Sequence, residues 1–319
     1  MKATRYFFAA ALTVIAAVAC QKENSPSKAS EVIINATIAG TETKTVLGEG
    51  FTGTDGKVHH KVLWLRSDNI SVFDASGNNH RFISYAKDNS EVAKFQKVAG
   101  EYTTKAFVTG NEYHAIYPGT SKNSFDIDTK TITVASIDNN QKPVKNGFAD
   151  DLAVAYGYGT QTSTSGDKTY VEMTFMNVTA LIKFELEGDD ITEVRFLDQS
   201  GAFLAGESFT VTYSDNVITP SLTNGKKNIY MNNIVKNVDE NEVVTYSVTP
   251  LEAGVYYMVI VPPANGIKPR ISFTTKTEAT GSTINGSYNV DKKGSATVLL
   301  KPGMILDLGK WNSSGRVME

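Results

Sequence analysis

The sequence has 319 residues, and its 31 basic and 34 acidic side chains give a formal net charge of −3 at pH 7. Nucleic-acid recognition needs a concentrated cationic surface, so this charge balance excludes a nucleic-acid partner as the leading interpretation. The chain has a single cysteine and cannot form an internal disulfide, which leaves packing and strand pairing as its sources of stability.

The amino terminus has the pattern of a bacterial signal peptide over residues 1–19. Lys2 and Arg5 precede an uncharged run at residues 7–19, which is too short to span a bilayer as a helix. Small residues then lead to Cys20, and this segment resembles the lipoprotein box, with Ala where Leu is usual three residues before the cysteine. We predict cleavage between Ala19 and Cys20. The resemblance implies acylation of Cys20, with palmitate among the acyl chains, and an outer-membrane lipid anchor.

A short polar tether follows, so that residues 20–30 are interpreted as the lipidated amino terminus and tether. Gln21, Lys22 and Glu23 resemble the signal that sends Bacteroidetes lipoproteins to the outer leaflet, and a merely solvated tether is the alternative. The length that remains predicts two domains of ordinary size, which we place at residues 31–164 and 165–319.

After residue 30 the chain predicts an all-β fold. Short runs alternate with a period of two and are divided by Gly, Asn, Asp and Pro clusters, and no apolar period of 3.6 is sustained. In the first half we predict strands at residues 31–38, 62–65, 69–73, 81–84, 92–96, 104–108, 113–118, 131–135 and 152–155, with a turn-like segment at residues 39–61. Residues 156–168 predict a linker with the boundary near Thr164, and a hairpin inside one domain is the alternative.

The second half opens with one strand before Asn177 and one strand after it. The first of these has Val171, Met173 and Phe175 on its buried face. Further strands are predicted at residues 194–197, 208–213, 228–231, 243–248, 255–261, 270–275, 287–290, 296–300 and 304–311. The run at 255–261 is almost wholly apolar, which predicts a central strand covered on both faces. About seven to nine strands in each half favour β-sandwiches over a barrel or propeller.

The sequence contains no pattern typical of an enzyme, a cofactor site or a metal site. The four histidines offer no third ligand that can be placed, and acidic pairs such as Asp126 and Asp128 are interpreted as turn caps. No nucleophile elbow and no Gly-rich phosphate loop occur. A weak hint of ligand binding comes from four tyrosines, although the strand preference of Tyr explains them as well. They are Tyr156, Tyr158, Tyr256 and Tyr257.

An ordered set of segments resembles the fimbrillin-like lipoproteins of Bacteroidetes, the fimbrial subunit superfamily. The set comprises Cys20, the first strand, Thr43-Lys44-Thr45, the run from Val62 to Phe73, the run from Tyr113 to Pro118, the run from Phe175 to Phe184, and Lys301-Pro302-Gly303. The family's segment "W, two residues, G-D-x-I-x-V" starts here at Trp64 and has Ser67 where Gly is common. The resemblance implies two tandem transthyretin-like β-sandwich domains in a surface pilus subunit, or in a pilus tip or anchor adhesin.

In this family, proteolysis removes the first strand and a strand donated by a neighbouring subunit replaces it. The resemblance therefore implies loss of residues 31–38 after cleavage at Lys44 or Arg66, since the family commonly uses an Arg and residues 39–65 contain none. The implied donor strand contains Met304, Ile305, Leu306, Leu308 and Trp311. Because few residues follow Trp311, a tip or anchor role is as plausible as a stalk role.

The partners implied are other pilus subunits, outer-membrane lipid at Cys20, and a protein or glycan on a host or bacterial surface. The alternative function is a surface glycan-binding lipoprotein associated with nutrient uptake, which rests on the same anchor and on the tyrosines.

Overall fold

The computed structural model describes residues 31–38, 46–52, 58–87, 90–98, 111–149, 152–166, 168–275, 277–280, 283–286 and 290–317. Within these ranges the chain forms strands and turns without a helix, which confirms the predicted all-β class. The same ranges accordingly contain no helix with the length and apolar character that crossing a membrane would require.

The strands alternate with tight turns along the whole described chain. The first twelve are β1 (Glu31–Ile38), β2 (Val46–Thr52), β3 (Val58–Leu63), β4 (Asn69–Phe73), β5 (Asn79–Ser84), β6 (Val92–Lys97), β7 (Tyr113–Tyr117), β8 (Ser124–Asp126), β9 (Thr131–Ile137), β10 (Asn140–Gln141), β11 (Ala155–Ser165) and β12 (Lys168–Asn177). The others are β13 (Ala180–Leu186), β14 (Glu193–Asp198), β15 (Gly206–Ser214), β16 (Val217–Ser221), β17 (Asn228–Val238), β18 (Val244–Thr249), β19 (Gly254–Ile260), β20 (Pro269–Thr274), β21 (Thr277–Thr280), β22 (Thr283–Gly286), β23 (Val290–Lys293), β24 (Ile305–Asn312) and β25 (Gly315–Arg316).

Seven strands of the first part form a sheet that curls until it closes, in the order β1-β12-β11-β7-β4-β5-β6. The closing strand is β1, which pairs in parallel with β12 and antiparallel with β6. Side chains that alternate inward fill the interior around the fully buried Trp64. Its ring meets those of Phe95, Tyr117 and Phe175 edge-on, with centroids 4.8, 5.9 and 5.1 Å apart.

Besides the two-stranded pairs β2-β3 and β21-β22, three larger sheets pack beside this barrel. Their strand orders are β10-β17-β14-β20-β23, with β18 paired to β17, then β19-β13-β24-β25, and β16-β15-β9-β8. Phe73 and Tyr156 belong to barrel strands, yet they pack into the same apolar cluster as Phe184, Phe273 and Trp311 of the other sheets. The outer face of the barrel is therefore part of the second core.

The linker predicted over residues 156–168 is wrong. β11 and β12 occupy it and pair as an antiparallel hairpin, in which Thr164 lies opposite Thr169. Pairing also crosses the predicted boundary, because β9 pairs with β15 and β10 with β17. The Gly, Ser and Thr residues of this hairpin are also typical of a linker, and only cross-strand pairing distinguishes a hairpin from a linker here. The division into two domains stays a prediction.

Other differences concern short or weakly patterned strands. The predicted turn at residues 39–61 contains β2 and most of β3, which pair with each other, and residues 39–45 and 53–57 lie outside the described chain. The strand predicted at 296–300 is reduced to one bridge between Val298 and Ile267. The strand predicted at 104–108 falls outside the described residues.

The apolar strand β19 is covered on both faces, as predicted, but it lies at the edge of its sheet. Its open edge is closed by the side-chain amide of Gln141, which donates to the Val259 carbonyl at 2.7 Å and accepts from the Val259 N–H at 2.8 Å. The Asn146 N–H also donates to the Val255 carbonyl, at 2.8 Å. These bonds satisfy backbone groups that a neighbouring strand would otherwise pair.

Candidate functional site

The first strand occupies a groove between β6 and β12 and closes the barrel. Val32, Ile34 and Ala36 point inward, and Ile34 and Ala36 are fully buried. Asn35 and Thr37 lie on the outer face, where Ile33 is the one buried side chain. We call this groove the β1 seat: the facing edges of β6 and β12 and the apolar interior beneath them.

The buried side chains of β1 contribute strongly to holding it in the seat. Full burial of a Val or Ile side chain contributes roughly 1.5–3 kcal/mol. The polar contacts of β1 are more accessible to solvent: Asn35 Nδ2 donates to Glu172 Oε1 at 2.6 Å, and Glu31 forms an ion pair with Lys168 at 2.9 Å. Such exposed pairs contribute little, with a typical range of about 0–1 kcal/mol. Apolar burial and backbone pairing therefore hold the strand.

The two predicted cleavage residues differ in what their cleavage would release. Arg66 is exposed in a turn that is closed by a 2.7 Å hydrogen bond from the Leu65 N–H to Asp68 Oδ2. A fragment that ended at Arg66 would carry away Trp64, whose ring is at the centre of the barrel. Lys44 lies outside the described residues, but a fragment that ended there would contain β1 and not Trp64.

The predicted donor segment is part of its own core. Most of it forms β24, which pairs in parallel with β13. Trp311 is buried with its ring centroid 5.1 Å from that of Phe273, and Leu306 and Leu308 pack against the same cluster. Ile305 packs against a smaller cluster, while Met304 precedes the strand and is exposed.

The residues predicted for export, cleavage and lipidation lie outside the described chain. They are Ala19, Cys20, Gln21, Lys22 and Glu23. Their roles stay predictions.

The tyrosines singled out in the sequence are mostly core residues. Tyr156 is fully buried, Tyr256 and Tyr257 are buried, and only Tyr158 is half-buried. The strand preference of tyrosine therefore explains three of the four, which removes most of the stacking surface on which the glycan-binding alternative rests. Tyr158 packs at 4.8 Å from the Tyr213 ring and donates to Glu112 Oε1 at 3.2 Å.

Acidic residues in the described turns act as caps. Asp126 Oδ1 accepts the N–H groups of Asp128 and Thr129 at 3.0 and 3.2 Å, as the sequence predicts. Among the described residues, no group of three or more His, Cys, Asp or Glu side chains is arranged to hold a metal ion.

Sequence reasoning missed two features of this region. The first is that β1 runs parallel to β12, which lies more than 130 residues further along the chain. The second is a groove between the sheet edges at β23 and β24, lined by Lys292, Lys293 and Arg316. No local pattern is sufficient to predict either one, because both depend on which strands become neighbours. The adjacent lysines were the only available signal for the groove.

Comparison with known proteins finds similar solved structures at low sequence identity. A Bacteroides ovatus protein assigned to cell adhesion is 11% identical over 91% of this chain and 98% of that chain, with a TM-score of 0.48. A fimbrial protein from Bacteroides ovatus is 11% identical over 90% of this chain and 50% of that chain, with a TM-score of 0.37. The fimbrial anchor protein Mfa2 from Porphyromonas gingivalis is 8% identical over 88% of this chain and 90% of that chain, with a TM-score of 0.32. No family model and no curated protein matches the sequence.

Proposed function

We propose that the chain is a cell-surface lipoprotein that serves as a pilus subunit, or as a pilus tip or anchor adhesin, and that its assembly exchanges β1 for a strand of a neighbouring subunit. The observation that carries this proposal is the position of β1. It is the first described strand, it is paired along both edges, and its inner face completes an apolar core.

Loss of β1 would leave a groove that must be refilled. Two buried β-branched side chains, Val32 and Ile34, together contribute on the order of 5 kcal/mol, a substantial part of the roughly 5–15 kcal/mol that stabilises a typical domain. The edges of β6 and β12 would also lose their backbone partners. An extended segment with alternating apolar residues satisfies both needs, which is the physical basis of strand addition.

The strand directions and side-chain positions of the β1 seat define which strand can enter it. An incoming strand runs parallel to β12 and antiparallel to β6 if it reproduces the pairing of β1. It needs small or β-branched side chains where Val32, Ile34 and Ala36 now lie. Two outer positions tolerate polar residues, because Asn35 and Thr37 occupy them here, whereas the outer position of Ile33 is buried and favours an apolar side chain.

The cleavage step is tested with the chain from Gln21 to Glu319, treated with trypsin and analysed by mass spectrometry. We expect release of a fragment that ends at Lys44, because release at Arg66 would remove Trp64 from the core. Lys44→Gln should abolish the fragment that ends at residue 44, and the matched Arg66→Gln variant should leave that fragment unchanged. If release depends instead on Arg66, the assignment of Lys44 is overturned.

Strand exchange is tested with a reversible lock. Asn35 and Lys94 are paired across β1 and β6, so Asn35→Cys with Lys94→Cys would fasten the strand, and residues 21–319 contain no other cysteine. After proteolysis, the oxidised variant should stay monomeric, whereas the reduced variant and an Asn35→Ser, Lys94→Ser control should form oligomers. Oligomers that form equally well in the oxidised state, or in none of the samples, would contradict the proposal.

A further inference from the structure

We propose that the groove between β23 and β24 binds an acidic saccharide, a sugar chain that carries carboxylate groups. The groove lies between the edges of two sheets, with β20 and β23 on one side and β24 and β25 on the other. Its volume is about 630 Å³, within the range of roughly 300–1,000 Å³ that is usual for small-ligand sites. We call it the basic groove.

Three cations line the basic groove: Lys292, Lys293 and Arg316. All three are exposed, and none of them forms an ion pair with another described residue. The carboxylate in the wall, Asp307, is already engaged by Lys183 at 2.6 Å. The groove therefore has an excess of positive charge although the chain as a whole is negative, and this charge is complementary to a carboxylate ligand.

The backbone around the cations is held by neighbouring strands. Lys292 and Lys293 lie opposite Ile271 and Arg270 in the antiparallel pair of β23 with β20. Arg316 lies over Gly309, where a Cβ atom would come within 3.0 Å of Arg316 Nη2. Gly309 also has a φ of +81°, which an L side chain rarely adopts. A preorganised site loses less conformational entropy when a ligand binds.

The lining of the groove combines buried apolar side chains with exposed polar ones. Ile271 and Trp311 are buried and Leu308 is half-buried, whereas Ser314 is exposed and offers a hydroxyl. A pyranose ring presents C–H groups on its faces and hydroxyl groups around its edge, so it matches this arrangement better than a bare phosphate does. An added peptide strand fits less well, because β23 has four residues and β25 has two.

Calorimetry on the chain from Gln21 to Glu319 would test the proposal with two matched pairs of ligands. Trigalacturonate is compared with its uncharged methyl ester, and 3′-sialyllactose with lactose. We expect at least one acidic member to bind and its neutral counterpart to fail. Binding should weaken as salt rises, because the cations are exposed. Failure of both acidic sugars, or equal binding of a neutral partner, would overturn the proposal.

Variants then place the site. Lys292→Gln with Lys293→Gln should weaken binding about tenfold or more, since each charge-assisted hydrogen bond contributes substantially, and Arg316→Gln should act in the same direction. Lys236→Gln, on the exposed part of β17, is the matched control and should leave affinity unchanged. Unchanged melting temperatures exclude unfolding as the cause. An effect of Lys236→Gln equal to that of the groove variants would overturn the assignment.

Two further ligands distinguish the saccharide from other anions. Hexaglutamate or inorganic phosphate that binds as tightly as the sugar, with the same dependence on Lys292 and Lys293, would overturn the saccharide assignment. The oxidised Asn35→Cys, Lys94→Cys variant should bind the sugar like the unlocked chain, because the β1 seat and the basic groove share no residue. A failure of strand exchange and a failure of saccharide binding are therefore distinguishable.

Discussion

His114 lies in an enclosure of aromatic rings where the barrel meets the sheet of β15. Its ring centroid is 4.7 Å from that of Phe125 and 5.5 Å from that of Tyr158, and its Nδ1 pairs with the Tyr156 hydroxyl. Burial lowers the pKa of His114 to about 4, although the negative charge of Glu112 raises it in part. The imidazole is therefore neutral at pH 7.

This burial predicts a stability that falls with acid. The folded pKa of about 4 lies below the unfolded value of 6.5, so the unfolded chain binds more protons between these two pH values. Stability should fall by up to about 2 kcal/mol between pH 7 and pH 5 on this account. Urea unfolding of the chain and of His114→Gln at both pH values measures it. The variant should lose less stability on acidification, and equal losses would contradict the assignment to His114.

At the scale of an element, β19 shows how a side chain can replace a strand. Gln141 makes two hydrogen bonds to Val259 and thereby closes the edge of β19. Because β19 is almost entirely apolar, an open edge there would favour pairing with other molecules.

Replacing this side chain should destabilise the chain and expose the edge. Gln141→Ala leaves the buried N–H and C=O of Val259 without partners, and we expect a loss of about 2 kcal/mol. Gln141→Glu keeps the acceptor for the Val259 N–H but places a buried carboxylate oxygen against the Val259 carbonyl, so it should lose at least as much at pH 7. Asn140→Ala is the control, because that side chain is exposed one residue earlier. Urea unfolding and hydrogen exchange of the Val259 amide provide the measurements. If the Val259 amide stays protected from exchange in Gln141→Ala, the two hydrogen bonds from Gln141 are not needed to close this edge.

At the scale of the whole molecule, one apolar cluster runs from the barrel into the other sheets. It includes Phe73 and Tyr156 from the outer face of the barrel, and Tyr213, Phe184 and Trp311 beyond it. Tyr156 and Tyr213 stack across the junction with centroids 5.2 Å apart. A core shared in this way couples the stability of its parts.

The two tryptophans provide a test of this coupling, because Trp64 lies in the barrel and Trp311 in the second core. Trp311→Phe leaves only Trp64 as a fluorescent reporter, and Trp64→Phe leaves only Trp311. In each variant we expect the fluorescence transition in urea to coincide with that from far-ultraviolet circular dichroism. Separate transitions would show that the predicted domains unfold independently.

The amino-acid sequence by itself determined the local features of this protein. Alternation with a period of two located β1 at residues 31–38 and β4 at residues 69–73. Acidic turn residues such as Asp126 were identified as caps, because the Asp side chain bonds to backbone groups only two or three residues away. These features depend on neighbours along the chain, and the sequence contains those neighbours.

Only the tertiary structure decided how the strands combine. Several of its contacts join residues that are distant in sequence or weakly patterned. They are the parallel pairing of β1 with β12, the closure of the barrel, the hairpin at the predicted linker, and the two hydrogen bonds between Gln141 and Val259. The period of apolar residues in a single strand shows which side chains share a face. It does not show which strand pairs with either edge. That partner is selected by packing over the whole molecule, since an alternating strand satisfies many registers almost equally well until its buried face meets a particular core.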